Sequence, residues 1–181
     1  ATTAIRVQCA GRTDSGVHAH TQVIHFDAPI ARSPKAWVVG GNAHLPQDIR
    51  IHWAVAVDPE FHARFSAQAR RYRYVIANAP IRSALLLGQV TWYRRELNVS
   101  QMHAGAQALV GESDFSAFRA ASCQSRTAMR NVQSISVKRY GALVVLDVKA
   151  NAFLHHMVRN IAGALMAVGD GRKSAEWISV L

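Results

Sequence analysis

The run Leu143 to Lys149, Leu-Val-Val-Leu-Asp-Val-Lys, is almost continuously apolar. A strand of that kind is at home in the middle of a sheet, with a neighbour on each edge. Val132 to Lys138 is the obvious first neighbour, joined to it across Arg139-Tyr140-Gly141 as a hairpin. Arg70 to Ala77 supplies another strand, with Arg71 and Arg73 on one face and Tyr72 and Tyr74 on the other. Helical spacing marks Val99 to Val110, which opens at Ser100 and closes at Gly111, and then Phe153 to Val168, which ends at Gly169-Asp170-Gly171. From Arg70 onward the order is therefore β-α-β-β-α.

The earlier part of the chain reads β-β-α-β. Strands are expected at Ala4 to Cys9, Gln22 to Phe26 and Ile49 to Val57. A short helix runs from Ser33-Pro34 to about Ala43, before Leu45-Pro46. Each series is the pattern β-α-β-β-α-β cropped at its outer end. The expected fold class is α+β, with two ferredoxin-like halves, residues 1–58 and 59–181. They join into one mixed, mostly antiparallel sheet with helices packed on it and a central cleft. The first β-α of one half and the last strand of the other are expected to be missing. The halves share no convincing sequence identity, so any repeat is structural.

Charge narrows the partners. The 181 residues carry a net charge of +10, and only four of the 21 basic residues are lysines, leaving 17 arginines. Arginine pairs with phosphate in a fork and stacks on bases, so a polyanion is the first partner to consider. Half the residues are hydrophobic, which excludes a disordered chain. No apolar run of about 18 residues exists to cross a membrane, and no secretory leader is expected. Cys9 and Cys123 lie far apart with no C-x-x-C, so a reducing, cytoplasmic setting fits better than a disulfide framework. The histidines include His18-x-His20 and His155-His156 but no H-E-x-x-H, and no metal is expected.

Chemistry concentrates in Cys9-Ala10-Gly11-Arg12-Thr13-Asp14-Ser15-Gly16-Val17-His18-Ala19. Two glycines five positions apart bracket Arg12 and Asp14, and in extended chain residues two apart share a side. A neighbouring guanidinium favours the ionised carboxylate, which suits a nucleophile or an electrostatic anchor. On its residues alone the segment reads more readily as an ordinary turn with an exposed ion pair of little value. It is not a phosphate loop, since neither G-x-x-x-x-G-K-[ST] nor G-x-G-x-x-G occurs. Farther on, Phe61-His62-Ala63-Arg64-Phe65 alternates aromatics with a histidine and an arginine, a stacking-and-phosphate pattern or a core-anchored linker. Asp114 to Met129 reads as a long loop, either a gripping element or a plain connection. Arg159 falls among Met157, Val158, Ile161 and Leu165, where it needs an anion or a route to solvent.

Several of these blocks together resemble the tRNA pseudouridine synthase family. They are Ala10 to Ala19, His62-Ala63-Arg64-Phe65-Ser66-Ala67, Arg70-Arg71-Tyr72-Arg73-Tyr74, Asp114-Phe115-Ser116-Ala117-Phe118-Arg119 and Asn151 to Asn160, in family order across nearly the whole chain. The resemblance implies that Asp14 is the catalytic residue, supported by Arg12 and Arg159, with Tyr72 against the target base. It implies tRNA contacts at Arg32, at Phe61, His62, Ala63, Arg64 and Phe65, and at Ser122, Cys123, Gln124, Ser125 and Arg126. It further implies uridines 38, 39 and 40 of the anticodon arm as targets, no cofactor, and a homodimer. Two rival readings of the residues remain: a non-catalytic RNA-binding module, and a metal-dependent nuclease using Asp14 with His18 and His20.

Overall fold

The structure is a computed structural model that describes residues 4–14 and 16–181. The chain divides into two compact units, Ala1–Ala67 and Gln68–Leu181.

In the first unit, β1 (Gln8–Cys9) pairs antiparallel with β2 (Ile24–His25), Gln8 opposite His25 and Cys9 opposite Ile24. Both strands are shorter than the alternating runs that announce them. Helix α1 (Pro34–His44) starts as its sequence dictates: Ser33 Oγ accepts the Ala36 amide at 3.2 Å, and Pro34 occupies the first turn, where its missing N–H costs nothing.

The strand expected over 49–57 is not formed; no sheet pairing involves these residues. Part of this backbone is held another way. Asn42 on α1 donates its side-chain amide to the Ile51 carbonyl (2.9 Å) and accepts the Ile51 N–H (2.8 Å), doing for that residue what a ladder neighbour would do. Gly41 lies so close that a Cβ there would sit 2.5 Å from Ile51 Cδ1. The apolar alternation of Ile49, Trp53, Val55 and Val57 is real, but all four side chains are exposed. Alternation marks a strand's two faces; it does not supply the edge to pair with.

The second unit is a five-stranded sheet in the order β4-β3-β7-β6-β5, with strands β3 (Arg70–Asn78), β4 (Thr91–Tyr93), β5 (Gly111–Asp114), β6 (Met129–Tyr140) and β7 (Leu143–Ala150). Only β3 and β4 run parallel. The apolar strand β7 is central, between β3 and β6. Gly141, at φ +57°, provides the left-handed residue that the β6–β7 turn requires. β6 carries one extra residue between Val132 and Ser134, a bulge that shifts its register on β7.

Helices α2 (Val99–Gln107) and α3 (Met157–Gly169) pack together on one side of this sheet, α2 over β6. The core is continuous from Val144, Leu146, Val148 and Ala150 of β7 to Met102 and Ala106 of α2 and Met157, Ile161 and Leu165 of α3, all essentially without exposure. Fully burying a side chain of this size contributes about 1.5–3 kcal/mol, so this layer holds the sheet flat against its helices. On the opposite sheet face Arg71 and Arg73 converge on Asp147, at 2.7 and 3.0 Å. Their guanidiniums hold the Asp147 carboxyl below its ordinary range.

Candidate active site

The loop bearing Arg12 and Asp14 is launched from the end of the β1–β2 pair. Past Cys9, the Ala10 amide donates to the Val23 carbonyl at 2.9 Å, and then the backbones part. At the next position Gln22 folds its side chain onto Gly11, accepting the Gly11 N–H (3.3 Å) and donating to the Gly11 carbonyl (2.6 Å). Arg12, Thr13 and Asp14 beyond it are exposed. The Asp14 carbonyl accepts the Val17 amide at 3.0 Å, closing a turn that passes through Gly16 at φ +77°, a backbone that side chains resist. Ser15 lies outside the described residues. Among the described residues, Asp14, His18 and His20 do not form a group with ligand atoms within 4.8 Å.

Segment 61–66 is tied to the same strand pair, and here the structure divides the residues that the sequence groups together. His62 accepts the Arg64 and Phe65 amides on Nδ1 (3.2 and 3.3 Å), so its proton is on Nε2, which donates to Gln8 Oε1 at 2.8 Å. The Ala63 amide donates to His25 Nδ1 at 3.2 Å, and Ala63 is buried. Phe61 meets the His25 ring edge-on. Phe61, His62 and Ala63 are thus anchors. Arg64 and Phe65 are on display: Phe65 is 76% exposed, with the Arg64 guanidinium 5.6 Å over its ring. Arg32 is exposed and stacks similarly on Trp37 of α1, at 5.9 Å.

In the second unit Tyr72 turns its ring to the helix side of the sheet and meets Phe153 edge-on at 5.0 Å. Arg159 is exposed on the first turns of α3, so it reaches solvent rather than lying in the core beside Ile161 and Leu165. The loop after β5 is laced rather than slack. Arg119 donates to the Cys123 and Ser125 carbonyls (2.7 and 2.8 Å), Arg130 donates to Ser125 Oγ (2.6 Å), and Ser122 Oγ meets His155 Nδ1 at 3.1 Å. Amides of Ser125 and His155 directed at the Cys123 sulfur lower its thiol pKa. Ser122, Gln124 and Arg126 face outward.

Three features escape sequence reasoning. Arg119 and Arg130 look like two more free cations, yet they brace this loop. His25 and Gln8 look like strand residues, yet they are the sockets for segment 61–66. His156 has a left-handed backbone (φ 60°) just before α3, a conformation costing a non-glycine residue about 1–3 kcal/mol. Its only sequence signal is the histidine doublet, whose rings stack at 3.8 Å.

Comparison with known proteins gives these features a common setting. The family profile described as tRNA pseudouridine synthase matches residues 1–66 and 106–181. The chain belongs to the tRNA pseudouridine synthase family. It is 57% identical to tRNA pseudouridine synthase A of Tolumonas auensis over 96% of this chain and 67% of that protein. The Shewanella amazonensis protein of the same name is 54% identical, over 98% of this chain and 68% of its own length. That of Vibrio cholerae is 56% identical, over 98% and 67%. The activity is accordingly that of an isomerase converting tRNA uridine to pseudouridine. For such an enzyme the 17 arginines have a substrate, and the profile covers the Arg12–Asp14 loop, segment 61–66 and α3. Among the described residues no helix is long and apolar enough to cross a membrane.

Proposed function

We propose that Asp14 carries the isomerisation, acting on uridines 38, 39 and 40 in the anticodon arm of tRNA. The observation that supports this reading is a carboxylate exposed at the head of a glycine-bracketed loop with Arg12, in a chain whose substrate is a polyanion. The reaction breaks the bond from ribose C1′ to uracil N1 and makes one from C1′ to C5. The proton displaced from C5 leaves and N1 gains one, so the product is an isomer and no redox partner or cofactor is consumed. Asp14 acts as the nucleophile or base that starts this exchange. Arg12 and Arg159 are its supporting cations, suited to the phosphates around the target nucleotide. Tyr72 offers its ring to the uracil. The target must leave its stem to expose C1′, and Arg12 is suited to the vacated space or the flipped phosphate.

The tRNA-binding set is Arg32, residues 61–65 and residues 122–126, with Arg64, Phe65 and Arg126 making direct contact and the anchors beneath them fixing their positions. The protein acts in the cytoplasm, where tRNA is modified, and as a homodimer, as the family resemblance implies.

The test is Asp14→Asn, assayed by mapping pseudouridine in tRNA through a carbodiimide block to reverse transcription. Blocks at 38–40 should vanish while tRNA still binds with the wild-type Kd. Turnover near wild type would overturn the assignment of Asp14. Blocks elsewhere with none at 38–40 would overturn the target positions.

A further inference from the structure

The two-rung pairing of β1 and β2 is short for an element that must aim a catalytic loop, and the residue that extends it is Gln22. The register runs Gln8 opposite His25, Cys9 opposite Ile24, then Ala10 N–H to Val23 carbonyl. Continued by one step it sets Gly11 opposite Gln22. At that rung backbone does not meet backbone. The Gln22 side-chain amide supplies the acceptor for the Gly11 N–H (3.3 Å) and the donor for the Gly11 carbonyl (2.6 Å). A primary amide carries an acceptor oxygen and two N–H donors, and its oxygen and the N–H on the same side point the same way, as the C=O and N–H of one extended residue do, so it replaces a ladder rung. The replacement has a consequence that a backbone rung would not have. A side chain spans the gap, so the two chains diverge at Gly11 without leaving its N–H and carbonyl unpaired.

We infer that Gln22 is a positioning residue of the isomerisation, fixing the point from which the Arg12–Asp14 segment projects. This inference rests on the assignment of the chemistry to Asp14. Gly11 is three residues before Asp14, and the next described restraint on that side of the loop is the turn from Asp14 carbonyl to Val17 amide. Without Gln22, the paired stem retreats to Ala10 and the arm bearing Arg12 and Asp14 lengthens by one unrestrained residue. Displacement of a reacting group by about 1 Å costs on the order of 100-fold in rate. Gln22 itself is exposed and apart from the core, so its loss leaves the fold intact.

The test uses the full chain with Gln22→Leu, which removes both bonds, and Gln22→Glu, which keeps the acceptor for Gly11 N–H but sets a carboxylate oxygen against the Gly11 carbonyl. Single-turnover pseudouridine formation should fall about 10- to 100-fold in Gln22→Leu, with tRNA Kd within about 2-fold of wild type. Hydrogen exchange of the Gly11 amide should accelerate in Gln22→Leu and remain slow in Gln22→Glu. An unchanged rate in Gln22→Leu while Asp14→Asn is inactive would overturn the inference and leave Asp14 standing. An Asp14→Asn enzyme that still turns over would remove the reading beneath it. A rate loss matched by weaker tRNA binding, or by a lowered melting temperature, would make Gln22 an RNA contact or a mere fold element and would equally overturn it.

Discussion

Replacing Asp170 by Asn tests whether the link between the end of α3 and strand β4 depends on charge. The Asp170 side chain is 1% exposed. It accepts the Tyr93 hydroxyl and the Arg172 Nε–H (2.7 Å), and Arg95 lies 3.6 Å away. Burial pushes the Asp170 carboxyl up, but the bonds from Tyr93 and Arg172 outweigh it and leave the pKa below its ordinary value. Asparagine keeps the shape and the oxygen that faces Tyr93 and the Arg172 Nε–H, removes the charge, and gives up the weaker bond in which the other oxygen accepts the Arg172 amide at 3.3 Å. A hydrogen bond to a charged group contributes about 1.5–3 kcal/mol against about 0.5–1.5 for a neutral one, so each of the two bonds weakens by about 1 kcal/mol. Both guanidiniums are more than half exposed, which reduces the arginine share, and the expected net cost is about 1–2 kcal/mol. In a unit of this size that lowers the melting temperature by about 4–8 °C per kcal/mol.

The sign with pH follows from the depressed carboxyl. Its stabilisation is complete above the unfolded value, about pH 4, and is lost as pH falls through the lower folded value. The wild-type advantage over Asp170→Asn should therefore be constant from pH 5 to 7 and close below about pH 4. Melting curves of both proteins, followed by fluorescence of Trp92 and Trp177 in this unit, measure it directly. Asp147 and Asp114 also titrate low, but they do so in both proteins and cancel in the difference. A gap of the same size at pH 3 and pH 7 would mean that shape, not charge, holds the junction.

Two other perturbations probe packing and RNA contact. Gly169→Ala would place a Cβ 2.7 Å from Met102 Sδ and 2.9 Å from Leu97 Cδ2, both in the core, so overpacking should cost about 1–3 kcal/mol in a thermal melt. A melting temperature equal to wild type would show that Met102 can move aside. Arg64→Gln should reduce the slope of log K against log salt for tRNA binding by about one unit, since one phosphate contact is lost. An unchanged slope would detach Arg64 from the RNA.

What the sequence reveals depends on how a residue's role is enforced. Strands β3, β6 and β7 and helices α2 and α3 are legible because their burial is periodic: Val144, Leu146, Val148 and Ala150 alternate, while Met102 and Ala106, or Ile161 and Leu165, recur at helical spacing. Strand β4, three residues of Thr-Trp-Tyr, is too short to show a period. β5, Gly-Glu-Ser-Asp, has no apolar residue at all and exists because β6 offers it an edge. The strand expected over 49–57 fails for the converse reason: the period is present and the paired edge is not. The charged loop residues Arg12 and Asp14 are conspicuous in sequence because glycines frame them. Gln22 is not, because an amide that substitutes for backbone leaves no pattern.

Segment 61–65 shows where residue-type reasoning stops. Aromatic, histidine and arginine in alternation describe a nucleic-acid surface and a buried linker equally well, and the structure divides the segment into anchored and displayed residues. The division is set by hydrogen-bond direction. His62 and His25 each use Nδ1 as an acceptor for backbone amides of the segment, so both rings serve as fixed polar sockets and their proton-bearing nitrogens point elsewhere. A ring committed this way cannot also read a base with the same nitrogen. Phe61 is occupied edge-on by His25, and Ala63 has no exposed surface to offer. That leaves Arg64 and Phe65, adjacent in sequence and stacked in space; the Phe65 ring also leans on the His62 ring at 4.3 Å yet stays 76% exposed, so under the proposed function these two are the residues placed to meet phosphate and base. Three anchored residues holding two displayed ones is what a contact needs if it must grip a flexible substrate without paying to order itself first.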